Sequence, residues 1–232
     1  MPLKLMSTLA VEVALKRRLL PAFTQTTGIT PDVTWNPTTV IMQRIAAGTR
    51  ADAIILIDKS MAELVERGIV VASSVAPIAT AKIGVAVAGD APAPKLETVE
   101  DLKAALLGAR SVAYSRGGAS GIYFAKLIEK LGIAEAVNAR ATIIPEGFTA
   151  GQIVAGKADL AIQQISELMS VDGIQIAGPL PEAVQAGTDF SVAAFADAEN
   201  PDDATRLIAH FTSAAAGAAY EAGGLTSRLA RI

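Results

Sequence analysis

The run AIILI at residues 53–57 is aliphatic at every position, and the helical pattern KSMAELVERG follows almost at once. A strand without a polar face must be covered on both sides, and helices joined directly to strands give that cover in parallel sheets. The same rhythm precedes this run. LKLM reads as a strand, with Ser7 as the N-cap of a helix from Thr8 that Pro21 should kink or end. PDVTW reads as a second strand. Asn36 as N-cap and Pro37 at the first helical position then open a helix that closes near Gly48. This order predicts a parallel, helix-covered sheet. Pro77 and Lys82 interrupt the most apolar segment, IVVASSVAPIATAKIGVAVAG, so it divides into two strands around a loop and is not read as a membrane span.

Beyond the loop-like GDAPAPKLET the alternation starts again. VEDLKAALLG, SGIYFAKLIEKLG and TAGQIVAGK read as helices, and SVAY, ATIIP and ADLAIQQ as the strands between them. IQIAGPLPEAV adds a strand and a turn, DFSVAAFADA a further strand, and Asn200–Pro201–Asp202 starts the closing helices. The expected fold class is α/β in two lobes. Lobe I comprises 1–80 and 195–232, lobe II comprises 81–194, and two crossovers lie near 79–87 and 186–195. Ligands of open α/β sheets bind at the carboxyl ends of strands, so a cleft shared by the two lobes is the expected site.

Composition narrows the chemistry. The chain has no cysteine, which removes disulfides, thiol catalysis and thiolate metal sites. Its single histidine, His210, falls in a C-terminal helical pattern and reads as a helix-surface or packing residue, so no metal site and no cofactor are expected. A net charge of −3 gives nucleic acid no general attraction, and an anion would need a few local donors. The first residues enter a strand and helix without a leader pattern. The expected location is therefore periplasmic if an upstream leader was removed, and cytoplasmic otherwise; the expected state is a monomer.

Polar residues collect after the strands. Ser7 and Thr8 follow the first, and Thr38 and Thr39 the second. Ser115, Arg116, Gly118 and Ser120 follow SVAY, then Glu146, Gly147, Phe148 and Thr149 follow ATIIP, and Gln163, Gln164 and Ser166 follow ADLAI. At the first turn of a helix, free N–H groups and the positive end of the dipole can hold an oxyanion. Arg116 is the strongly basic member, and its fork fits a carboxylate or phosphate. The loop SRGGASG lacks the lysine of a phosphate-binding P-loop and the dinucleotide glycine fingerprint.

Taken in order, STLAVEVAL, FTQTTG, TWNPTTVIMQRIAAGTRADAIILID, SRGGASGIYFAKLIEKLG, IVAGKADLAIQQISEL and AAYEAGGL resemble the molybdate-binding-protein-like branch of the type II periplasmic solute-binding proteins. The resemblance runs over nearly the whole chain. It implies two α/β lobes joined by two crossover strands and closing on a ligand at the hinge. It also implies an ABC transporter permease as partner. In the molybdate binders the oxyanion is held by two serines, by backbone amides of two later loops and by a tyrosine. By position these fall on Ser7, on Thr38, near Ser120, near Gly147 or Phe148, and on Gln164. The glutamine in the tyrosine position, Pro37 and the added charge of Arg116 shift the expectation from molybdate or tungstate to an organic di- or tricarboxylate. The branch also resembles the group that includes aconitate isomerase, which moves a proton between cis- and trans-aconitate without a cofactor. For that chemistry Glu146 and Tyr114 are the candidate bases.

Overall fold

Strands β1 (Lys4–Ser7), β2 (Asp32–Trp35) and β3 (Ala53–Ile57) form a parallel set in which Ser7 lies opposite both Trp35 and Ile55. The structure is a computed structural model that describes residues 2–230. Two compact units make up the chain. Unit 1 comprises residues up to Ala81 and those from Thr188 onward; unit 2 is Lys82–Gly187. Alternation along the strands decides what covers the first sheet. Leu5, Ala53 and Ile55 pack on one face with Leu15, Phe23 and Phe211, while Met6, Ile54 and Leu56 pack on the other with Ile41, Ile45 and Leu64. Both faces are covered, which is why AIILI carries no polar position.

Between β1 and β2 one helical run extends from Leu9 to Thr27. It opens as a 3-10 turn, passes through α1 (Glu12–Ala14) and a π-helical turn at Leu15–Leu19, and ends as α2 (Leu20–Thr27). Pro21 therefore does not end the helix. The Leu20 N–H reaches five residues back to the Leu15 carbonyl, so the wider π turn lies just where Pro21 can donate no hydrogen bond. Helix α3 (Thr38–Ala46) starts one residue later than expected and has Pro37, not Asn36, at its N-cap. The cause is the β-ladder: the Asn36 N–H still bonds the Ser7 carbonyl at 3.1 Å. After α4 (Asp58–Glu66) the apolar segment forms one long strand, β4 (Ala76–Ala88), and not two strands around a loop. Pro77 is tolerated because it sits exposed near the start of that strand, and Lys82 reaches Glu182 at 3.3 Å.

The chain passes into unit 2 within β4. There follow α5 (Val99–Gly108), β5 (Val112–Ser115), α6 (Ala119–Lys130), α7 (Ala134–Asn138), β6 (Thr142–Ile144), α8 (Gly151–Val154), β7 (Leu160–Gln164), α9 (Ile165–Leu168) and β8 (Ile174–Pro179). Strand β5 is parallel to β6 and β7, whereas the second half of β4 runs antiparallel to β7 and β8. One face of this sheet is bulky: Val85, Val112, Tyr114 and Ile162 meet Leu102, Phe124 and Leu127. The other is made of small residues, with Ala86, Ala113 and Ala161 against Ala150, Ile153 and Leu168. Helix α5 begins with a full capping box between Thr98 and Asp101.

The last segment returns to unit 1 as β9 (Gly187–Ala194), α10 (Pro201–Phe211), α11 (Ala214–Ala222) and β10 (Leu225–Ser227). Strand β9 runs antiparallel to β3, and β10 antiparallel to the first half of β4, so the sheets are mixed and not purely parallel. Each joins by direct pairing of a returning strand, without the crossover helix a parallel neighbour requires. His210 is a packing residue: its Nε2 lies 2.9 Å from the Leu19 carbonyl and its ring 5.5 Å from Phe23. Tyr220 donates to the Phe211 carbonyl at 3.0 Å, and burial pushes its ionisation well up.

One carboxylate ties the start of β1, the start of β3 and the start of α10. Asp52 accepts the Lys4 N–H at 2.7 Å, the Asn200 N–H at 2.7 Å and the Asn200 side-chain amide at 3.2 Å. Burial opposes its charge, but these donors and the nearby Lys4 outweigh burial and hold its pKa below the usual value. Asn200 thus spends its side chain on Asp52 and makes no cap bond of its own. A group with a lowered folded-state pKa stabilises fully above its unfolded pKa and loses that contribution as pH falls through the folded value. Urea unfolding of Asp52→Asn at pH 7 should show a loss of about 2–3 kcal/mol. That difference from wild type should shrink as the pH drops below about 4; a constant difference would remove the ionised form from the account.

Candidate functional site

In unit 1 the carboxyl ends of β1 and β2 lie side by side. Ser7 is fully buried and its hydroxyl donates to the Thr8 carbonyl at 3.2 Å. Thr8 is only 3% exposed, yet among the described residues its Oγ1 has no hydrogen-bond partner, and neither has Asn36 Oδ1. Helix α3 begins beside them, and its first internal bond is Ile41 N–H to the Pro37 carbonyl. The N–H groups of half-buried Thr38 and exposed Thr39 precede that bond. Sequence reasoning gave Asn36 to helix capping and so overlooked it; the one available signal was its position directly behind a strand.

In unit 2 the loops after β5 and β6 are laced together. The Arg116 N–H bonds the Ile144 carbonyl at 2.8 Å, and the Gly117 N–H bonds the Pro145 carbonyl at 3.0 Å. This ties the Arg116–Gly118 loop to Ile144 and Pro145, which lead directly into Glu146, Gly147 and Phe148. The Arg116 side chain is exposed and makes no ion pair among the described residues. Helix α6 starts from Gly118, and Ala119, Ser120 and Gly121 precede its first internal bond, Ile122 N–H to the Gly118 carbonyl.

The glycines of SRGGASG have a packing role of their own. A Cβ on Gly121 would stand 1.7 Å from the Ser115 carbonyl oxygen, and one on Gly118 would stand 2.8 Å from Ser115 Oγ. The start of α6 is thereby seated directly on the end of β5, with Ser115 and Ser120 both buried.

Tyr114, one residue earlier on β5, turns into the core. Its hydroxyl donates to Asn138 Oδ1 at 2.7 Å, its ring meets Phe124 edge-on, and burial pushes its pKa up. Glu146 is exposed. Tyr114 and Glu146 are therefore not brought together as an acid–base pair.

At the end of β7, Gln163 and Gln164 face opposite ways. Gln163 accepts the Thr149 N–H at 2.8 Å and the Thr149 hydroxyl at 3.0 Å, and it donates to the Gly147 carbonyl at 3.0 Å. Gly147 holds φ at +99°, a left-handed conformation that suits glycine. The Gln164 side chain is 5% exposed, and its amide makes no hydrogen bond among the described residues. Ser166, fully buried in α9, keeps an unpartnered Oγ.

Unit 1 offers neutral donors and acceptors at its strand ends, and unit 2 offers neutral groups together with the Arg116 guanidinium and the Glu146 carboxylate. Among the described residues no cluster of His, Cys, Asp or Glu is disposed to hold a metal ion. A separate cavity of about 170 Å³ in unit 1 is lined by Lys4, Arg50, Asp52, Asp197 and Glu199. Its charges are already matched within the wall, Lys4 with Glu199 and Arg50 with Asp197.

The sequence profile described as bacterial extracellular solute-binding protein matches residues 3–226. The chain belongs to that family. It is 31% identical over 215 residues to an aconitate isomerase from a Pseudomonas species, covering 90% of this chain and 82% of that protein. Its fold is similar to that of the periplasmic molybdate-binding protein of Azotobacter vinelandii, with a TM-score of 0.78 at 19% identity, covering 97% of this chain and 98% of that one. It is also similar to the sulfate-binding protein SubI of Mycobacterium tuberculosis H37Rv, with a TM-score of 0.74 at 17% identity over 98% and 87% of the two chains. The type II periplasmic-binding-protein fold expected from the sequence is thus the fold of the chain. Among the described residues no helix is long and apolar enough to cross a membrane.

Gly121→Ala forces a methyl group onto the Ser115 carbonyl, so it should cost about 3 kcal/mol or more of stability in chemical unfolding. Gly151→Ala, with open space around its Cβ, should cost less than about 1 kcal/mol. Equal losses would contradict the packing role given to Gly121.

Proposed function

We propose that the chain is a solute-binding protein whose ligand is a small organic di- or tricarboxylate, held by strand-end donors. The observation that carries this reading is Arg116, an exposed guanidinium without an ion pair among the described residues, set in a loop that also offers backbone amides and hydroxyls. A planar fork matches a carboxylate in two parallel bonds, while a compact tetrahedral dianion is well served by neutral donors alone. Ser7, Thr8, Thr38 and Thr39 in unit 1, and Ser115, Arg116, Gly118, Ser120, Gly147, Phe148 and Gln164 in unit 2, make up the proposed binding set. In this reading the protein works as a monomer in the periplasm and delivers its solute to an ABC transporter permease.

A second reading has one specific observation in its favour, the 31% identity to an aconitate isomerase over 90% of the chain. In that reading the bound tricarboxylate is aconitate, Arg116 fixes a carboxylate, and the backbone amides stabilise charge that develops on it. Glu146, exposed beside Gly147, is then the base that removes the allylic proton, with Tyr114 the less accessible alternative.

A thermal-shift series with citrate, cis-aconitate, trans-aconitate, molybdate and sulfate tests the ligand class. At a hundred times its Kd a ligand adds roughly 2.7 kcal/mol of stability. The carboxylates should stabilise the wild type, and Arg116→Ala should weaken their binding by about thirtyfold, near 2 kcal/mol. Stabilisation by molybdate alone would overturn the carboxylate assignment. Proton NMR of cis-aconitate incubated with the protein separates the two readings. Appearance of trans-aconitate that is lost in Glu146→Gln favours isomerisation, and an unchanged solute favours binding alone.

A further inference from the structure

Gln163 lies beside the proposed anion site without belonging to the binding set. It is 4% exposed, and all of its amide's observed bonds go to one short segment. Its Oε1 takes two hydrogen bonds from Thr149, one from the backbone N–H and one from the hydroxyl, and its Nε2 donates to the Gly147 carbonyl at 3.0 Å. Thr149 is fully buried, and its hydroxyl lies 3.4 Å from the Ile162 carbonyl on the same strand as Gln163. One side chain therefore grips the segment from both sides of Phe148.

The consequence concerns the direction of the backbone. With the Gly147 carbonyl turned onto Gln163 and φ of Gly147 at +99°, the carbonyls and N–H groups of the segment are sorted. The Gly147 carbonyl faces the protein, and the Thr149 N–H is consumed. The N–H groups of Gly147 and Phe148 find no acceptor among the described residues. Two consecutive free N–H groups, held by a buried amide and lying next to the Arg116 loop, form a donor pair for an anion. A segment of three residues, with Gly147 exposed and Phe148 half-buried, would not hold that orientation by itself, because each residue fixed costs conformational entropy.

We propose that Gln163 is a positioning residue of the anion site: it fixes the 147–149 segment so that the Gly147 and Phe148 amides point at the ligand. This inference rests on the anion-binding reading. It adds a residue that touches no ligand and whose partner, Thr149, also stays behind the segment. It further implies that the neighbouring glutamines divide the labour, with Gln164 in the binding set and Gln163 supporting the backbone.

The test uses the full chain and two-dimensional amide NMR with citrate and cis-aconitate as probes, alongside calorimetric titration. In the wild type, the Gly147 and Phe148 amide signals should move on titration. Gln163→Met keeps the length and apolar stem but removes the three bonds. It should weaken binding by about tenfold or more and reduce the movement of those two signals at saturation. Thr149→Ser keeps the hydroxyl that Gln163 accepts from, and should bind within about threefold of wild type. If Gln163→Met does not fold, Gln163→Leu is used, since it also removes the three bonds and adds no charge. Weaker binding in that variant, with the Gly147 and Phe148 signals displaced in the free protein, supports the proposal. Wild-type signals that move, together with a Gln163 variant that binds and responds as wild type does, overturn the positioning role and leave the site standing. Wild-type signals at 147 and 148 that no probe moves, while Arg116 still responds, also overturn it. If no probe moves any of these signals, the anion-binding reading falls, and the positioning role falls with it.

Discussion

A helix that begins within a few residues of a strand leaves its first N–H groups unpaired at that strand's carboxyl end. The chain meets this constraint after β1, where the helical run starts at Leu9, after β2 at Thr38, after β5 at Ala119 and after β7 at Ile165. At each place the sequence supplies small polar residues or glycine, and at three of them a side-chain oxygen, Thr8 Oγ1, Asn36 Oδ1 or Ser166 Oγ, is left without a protein partner. Polar atoms of this kind, left without a partner, cost stability that a fold serving packing alone would have no reason to accept. The rest of the architecture holds these strand ends in register. Asp52 does so at the opposite end of the unit 1 sheet, and the seat of Gly121 on Ser115 does so in unit 2.

The electrostatic character of the candidate site follows from which charges are neutralised elsewhere. Lys4, Lys82, Arg50, Arg110, Arg206 and Arg228 each face a carboxylate. Arg228 sits between Asp58 and Asp189 at the carboxyl end of β3, so its guanidinium is already engaged by two carboxylates. Arg116 makes no ion pair among the described residues, as Arg44 and Arg67 also make none; its place sets it apart, because its loop is tied by backbone bonds to the loop that carries Gly147 and Phe148. On a chain of net charge −3, the proposed anion site would owe its selectivity to local geometry around one guanidinium and not to the overall field.

Much of this was legible in the sequence because periodicity reports burial. The all-aliphatic AIILI gave a doubly covered strand, and SGIYFAKLIEKLG gave α6 with its glycine-rich entry. What stayed hidden depended on which way a side chain turns. Ser115 and Tyr114 are adjacent on β5, and the pleat sends Tyr114 into the core with Phe124 while Ser115 meets the start of α6. Gln163 and Gln164 differ in the same way, and no pattern in ADLAIQQ says which of the two supports the backbone. The glycines of SRGGASG looked like flexibility suited to an anion, yet Gly121 is required by a contact of atoms. Asn36 looked like a helix cap, yet the β-ladder claims it; Asn200 does open α10, but its side chain goes to Asp52. Long-range ties of this kind join residues far apart in the chain and leave no local signature.

The central claim is that carboxylate anions are held by Arg116 and the strand-end donors. A crystal structure of the protein grown with millimolar cis-aconitate tests it most directly. The account predicts a tricarboxylate with one carboxylate within hydrogen-bond distance of the Arg116 guanidinium and another oxygen on the Gly147 or Phe148 N–H. Aconitate bound only at the cavity lined by Lys4, Arg50 and Glu199, or no bound aconitate at a concentration that saturates a thermal shift, would contradict it.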